Sequence, residues 1–259
     1  MNLFKDWCVT AKVKDKRKHF WTLGEKEGGR DAVRGALAET MRSHYDRLDR
    51  IADDVARLGY DGAAKILREH LPRTDRARSG ELGEILATEL VEEETRFRVP
   101  VRRLRYKDGR EMALRGDDFI GAAYDQDDKL WLLKGEAKSN KMLGKTTITN
   151  AREALSRHDG HCTPESLLFV ANRLLESADE DDVELGRTIR DGVGCKALHP
   201  NRIDHMLFTM SGNAPPVGLK ADLEAASADR DHYVVNLRIE DHQAFIAEMF
   251  AEAQELGEA

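Results

Sequence analysis

The stretch LWLLKGEAKSN, residues 130–140, constrains this chain more than any other. Four bulky apolar residues followed by Gly135, Glu136, Ala137 and Lys138 read as a buried strand with charge at its end. Alternate residues of a strand share a face, so Glu136 and Lys138 point one way. Trp131, Leu133, Gly135 and Ala137 point the other way and pack on a helix. A carboxylate and an ammonium in such a place are costly to bury without a partner or a purpose.

The preceding segment, RGDDFIGAAY, reads as a strand joined to this one by the polar turn DQDDK. Antiparallel pairing sets its start beside the end of the other strand, so Asp117 or Asp118 falls near Glu136. Two carboxylates held together repel unless a cation lies between them. A hard divalent ion such as Mg²⁺ prefers oxygen ligands of this kind. Lys138 then stands beside the ion, placed to orient water or to steady charge on a phosphate. Upstream, SGELGEI carries Glu81 and Glu84 three residues apart on one helical face, a source for a third carboxylate.

The rest of the chain supplies the frame. The first twenty residues, with the positive run KVKDKRKH, read as a solvated strand or arm. Apolar steps of three and four predict a helix from Asp31 to Leu58, stopped by Gly59, and DGAAKILREHLP predicts a second. The polar RTDRARSG marks a boundary, giving an N-terminal helical region over residues 1–75 and a second domain over 76–259. Ser79 is the expected cap of the next helix. RFRVPVRRLRY reads as a strand, KDGR as a hairpin turn, and EMALRGDDFIGAAY as the following strand. Helices are expected over about 147–158 and in PESLLFVANRLLES, DDVELGRTIRD and the closing DHQAFIAEMFAEAQEL, with late strands in DHMLFTM and HYVVNLRI. Helix, strands, helices, strands imply an α/β fold, a mixed sheet flanked by helices.

The ordered set GELGE, RGDD, GEAK resembles the PD-(D/E)xK nuclease superfamily and, more narrowly, the HamA family of nuclease subunits in Hachiman anti-phage defence. The resemblance implies a restriction-endonuclease-like sheet and metal-dependent cutting of DNA. Carried onto this sequence, the family's acids and lysine fall on Asp118, Glu136 and Lys138. The helical acid falls on Glu84, with Glu81 as its alternative and Asp117 as the alternative to Asp118. The implied cofactor is Mg²⁺ or Mn²⁺, and the implied partner is a HamB-like superfamily 2 helicase that engages DNA. The charged helical faces of residues 1–75 are the expected partner contact. The rival readings are an idle regulatory subunit on a helicase and a stand-alone restriction or repair nuclease.

Lys141, Lys145 and Arg152 are the cations placed to meet a phosphate backbone beside the site, or else a solvated helix face. The formal net charge of −7 argues against coating nucleic acid by bulk attraction, while leaving room for a local basic groove. Three cysteines do not make a disulfide framework and point to a reducing cytoplasm. No apolar run approaches a membrane span, and the N-terminus lacks the order of a secretory signal. His158, His161, Cys162, Cys195 and His199 are of zinc-ligand type, but their spacing matches no standard knuckle. The sequence contains neither a P-loop nor a nucleophile elbow.

Overall fold

The computed structural model describes residues 2–112 and 114–256. Its frame is one six-stranded mixed sheet, in the order β1-β2-β6-β5-β4-β3. The strands are β1 (Cys8–Asp15), β2 (Lys18–Glu25), β3 (Phe119–Tyr124), β4 (Leu130–Asn140), β5 (Ile203–Ser211) and β6 (His232–Arg238). The outer pairs β1/β2 and β3/β4 are antiparallel, and the inner ladder β2/β6/β5/β4 is parallel. Parallel inner strands need crossovers and cover on both faces, which is why they read as nearly continuous apolar runs.

Alternation along the strands divides the core. Leu133, Ala137, Met206, Phe208, Met210, Val235 and Leu237 face a large cluster with α1 (Leu3–Trp7), α2 (Gly29–Tyr45), α4 (Asp75–Glu94) and α9 (His242–Gln254). On the opposite face, Ile120, Leu132 and Ile203 pack with α6 (Pro164–Leu175) and α7 (Glu180–Gly194). Leu207 and Val234 pack there with α5 (Lys145–Ser156) and α8 (Val217–Ala225). The remaining helix, α3 (Leu48–His70), is bent at Gly59, whose φ of 72° is a conformation that suits glycine.

Several expectations are corrected. Residues 1–75 are not purely helical, because β1 and β2 belong to the common sheet and the large core cluster runs from Leu3 to Ala253. That cluster draws on both sides of residue 75, while the buried residues of the two smaller clusters all lie beyond it. RTDRARSG is the start of α4 rather than a linker, and Thr74 is its cap, accepting from the Ala77 N–H at 3.4 Å. Ser79 lies inside the helix. The helix expected from Asp31 to Leu58 is broken at Asp46 and Arg47. RFRVPVRRLRY is not a strand: one bridge joins Arg98 to Ala122, and a 3₁₀ turn follows over Arg103–Tyr106. Pro100 has no N–H to extend a ladder. Of the strand expected over 111–124, only Phe119–Tyr124 forms one, and its Ala113 lies outside the described residues, as do 257–259.

β3 and β4 pair from Tyr124↔Leu130 down to Phe119↔Gly135. The Phe119 ring crosses over Gly135 so closely that a Cβ there would stand 2.1 Å from the ring. Gly135 therefore seats the start of β3 against β4 immediately before Glu136. Gly135→Ala is expected to destabilise the protein by about 1–3 kcal/mol through overpacking, measured by denaturant unfolding. An unchanged midpoint would refute the close seating.

Candidate active site

β4 outruns β3. Past Gly135 its only strand neighbour among the described residues is β5, where pairing continues to Asn140↔Ser211. Asp118, one step before β3, stands against that exposed stretch. Its N–H donates to the Gly135 carbonyl at 3.2 Å, and its Oδ2 accepts from the Ala137 N–H at 2.8 Å. The side chain thus takes over where main-chain pairing stops. Lys138, on the same face of β4 as Glu136, donates to Glu136 Oε1 and lies 3.9 Å from Asp118 Oδ2. Glu84 reaches the group from α4, which crosses the other face of the sheet. A cavity of about 700 Å³ opens here, lined by Glu81, Glu84, Asp118, Lys138, Ser139 and Asn140 among others.

The sequence left two choices open, and the hydrogen bonds separate their members. Asp117 is buried and points away to α6, accepting from the Thr163 N–H at 2.7 Å and the Thr163 hydroxyl at 3.0 Å. It also lies 3.7 Å from Lys134, a lysine only 1% exposed that donates to the carbonyls of Arg157 and His161. Asp118 is the member that faces the cavity. Glu81 accepts from the Tyr45 hydroxyl at 2.8 Å and from Lys107. Glu84 has no such partner among the described residues, and after burial itself the charge that perturbs it most is Asp118.

Electrostatics mark the group as strained. Burial, then Asp118, pushes Glu136 up to about 7, against the pull of Lys138. Burial and Asp118 also raise Glu84 well above the carboxylate range, and burial raises Asp118 despite Lys138. Burial works against the Lys138 ammonium, but Asp118 and Glu136 hold its pKa above the ordinary lysine value. Mutually repelling buried carboxylates are stabilised when a cation joins them. An all-oxygen donor set is the kind a hard divalent ion selects. The residues present therefore suit such an ion in chemistry. As the side chains are placed, no three His, Cys, Asp or Glu groups among the described residues are arranged to hold one, and the ammonium of Lys138 is the positive charge between Asp118 and Glu136. The same holds for the histidines and cysteines weighed as zinc ligands.

Of the three cations expected at a phosphate backbone, only Lys141 adjoins the site. Lys145 lines a different cavity, between α5 and α8. Arg152 grips Asp222 through Nε and Nη2, at 3.1 and 2.7 Å, and is not free to meet a phosphate. Helical rise carries each turn of α5 away from the end of β4. The sequence reading missed Arg103, which was assigned to a strand. It is buried, donates to the carbonyls of Asp117 and Arg115, and its charge lowers the pKa of both Glu84 and Asp118. It also missed Ser139, Ser79 and His242, linked by contacts of 2.8 and 2.9 Å from α4 through β4 to α9. No local motif signals that chain of contacts.

The fold and the site together define an α/β protein with a mixed sheet flanked by helices, carrying three acids and a lysine at the end of an inner strand. The HamA family profile matches residues 1–253, and the chain belongs to that family. One relative, the Hachiman protein HamA of Bacillus cereus, is 26% identical over 183 residues, 71% of this chain. The matched region spans 63% of that relative's length.

The pKa of Glu136 gives a signed test. Its folded value near 7 lies above the ordinary 4.5, so its contribution to stability is full below about pH 4.5 and is lost as pH rises through 7. The loss amounts to at most about 3 kcal/mol. In chelator, Glu136→Gln is expected to raise the melting temperature more at pH 8 than at pH 5. Equal gains at the two pH values would show that Glu136 is not strained.

Proposed function

We propose that this protein is a metal-dependent nuclease that hydrolyses phosphodiester bonds in DNA and acts with a HamB-like superfamily 2 helicase in anti-phage defence. The observation that carries the reading is the convergence of Asp118, Glu136 and Glu84 on Lys138 where β4 runs past β3. The ordered motifs and membership of the HamA family support it, as does the Hachiman name of the relative. In this reading the sheet is of the restriction-endonuclease-like, PD-(D/E)xK kind.

Asp118, Glu136 and Glu84 are the groups that would hold Mg²⁺ or Mn²⁺. Such an ion, when bound, supplies Lewis acidity and a more acidic water. The chain's own residues do the rest. The three carboxylates fix the position of positive charge at the open end of β4. Lys138, released from Glu136, donates a hydrogen bond to a phosphate oxygen or orients the water, and its charge stabilises the negative charge that builds up during hydrolysis. Ala137 N–H and Arg103 keep Asp118 and its loop in place. The chain as a whole is acidic, which suits an enzyme to which DNA is delivered by a partner. The charged faces of residues 1–75 are the surface assigned to that partner.

With DNA, Mg²⁺, ATP and the helicase, wild-type protein is expected to cut. Glu136→Ala and Lys138→Ala should each lower the rate at least ~100-fold while circular dichroism stays unchanged, and EDTA should abolish cutting. Cutting by both variants at the wild-type rate would remove the nuclease reading.

A further inference from the structure

A second cavity, of about 360 Å³, lies beside the first and shares Arg76, Ser139 and Asn140 with it. Its other lining residues include Asp75, Lys141, His242 and Gln243. The two cavities therefore follow one another along the end of β4, from Lys138 to Lys141. Two to three residues of strand span roughly 7–10 Å, comparable to one backbone step of an extended polynucleotide.

The chemistry of the second cavity differs from that of the first. Where the first gathers carboxylates, this one gathers cations and donors. Arg76 and Lys141 are exposed, and neither side chain has a carboxylate or hydrogen-bond partner among the described residues. Asp75 is the single acid among the described residues that line it. Arg76 lies in the first turn of α4, and His242 and Gln243 open α9, so two helix N-termini of eight residues or more meet at the cavity. The positive ends of their dipoles favour an anion. The floor is rigid: Ser79, Ser139 and His242 tie α4, β4 and α9 together. His242 is 3% exposed, and its Nδ1 has no partner among the described residues. An arginine, a lysine, an asparagine and two helix starts around a braced floor form a place for one tetrahedral anion.

We propose that this second cavity binds the backbone phosphate next to the scissile one, through Arg76 and Lys141. The inference rests on the nuclease reading for the identity of the neighbouring site. It deepens that reading by naming the substrate: a strand that continues past the cut on one side. A linkage at the end of a strand on that side lacks the second phosphate and is a poor substrate. Ser139 and His242 are positioning residues that hold the cavity in register with Lys138.

Binding and cutting separate the two claims. Affinity for a fluorescent single-stranded oligonucleotide is measured by anisotropy in EDTA, where nothing is cut. Arg76→Ala/Lys141→Ala is expected to bind about tenfold more weakly. The slope of log affinity against log salt should become shallower by about 0.7 for each phosphate that is no longer neutralised. Lys14→Ala, an exposed cation on β1, should bind as wild type does. These substitutions remove exposed side chains, and unchanged melting temperatures confirm folding. A single methylphosphonate on one side of a defined linkage should weaken binding and cutting by wild type, on the other side much less, and by the double variant on neither. Wild-type affinity and salt slope in the double variant would overturn the subsite, whether or not the protein cuts. Binding intact in its Arg76 and Lys141 dependence, but with no cutting under any condition, would instead overturn the nuclease reading and leave the anion site standing.

Discussion

The structure turns on the repulsion between acids collected where one strand outlasts its neighbour. Glu136, Asp118 and Glu84 come from a strand, a loop and a helix; burial drives up all three, and the charge of Asp118 adds to the rise of Glu136 and Glu84. Nothing in the packing alone explains why a fold would gather them. Around them the frame is stiff: Asp118 substitutes for a main-chain partner, Phe119 lies over Gly135, and Arg103 pins the loop before it. The cost of the assembly is offset by the ammonium of Lys138 and by the large apolar core that α4 and α9 complete.

A neighbouring lysine shows how differently the same residue type is used. Lys134 is four residues before Lys138 on the same face of β4, yet it is sealed in and directs its hydrogen bonds to the carbonyls of Arg157 and His161, near Asp117. It fastens the turn between α5 and α6 under the sheet. Lys138 keeps an opening to the cavity. The adjacent acids Asp117 and Asp118 divide in the same way, one locking α6 and the other facing the cavity. Position relative to the end of β3, not residue type, decides which pair is structural.

That division explains what the sequence could reveal. The alternation of LWLLKGEAKSN places Glu136 and Lys138 on one face, and the DQDDK turn fixes the β3–β4 register, so, although the choice between Asp117 and Asp118 stayed open, the approach of one of them to Glu136 was legible from local pattern. The choice between Glu81 and Glu84 was not, because it depends on Tyr45 and Lys107, far away in the chain. The first twenty residues read as a solvated strand or arm, and β1 is such a strand, exposed over most of its length; what local pattern did not reveal is that β2 pairs with the distant β6 and so joins this region to the common sheet. Arg152 was misplaced because its partner, Asp222, lies on α8, an element the sequence pattern did not separate.

The last strand of the sheet in sequence order, β6, is the piece that joins the β1–β2 hairpin to β5 and hence to the strands bearing the acids. During synthesis the two halves of the sheet have no common strand until residues 232–238 emerge from the ribosome. Segments far apart in the sequence must therefore meet before the sheet closes, and a product stopped before β6 leaves two unjoined strand groups instead of a shortened sheet.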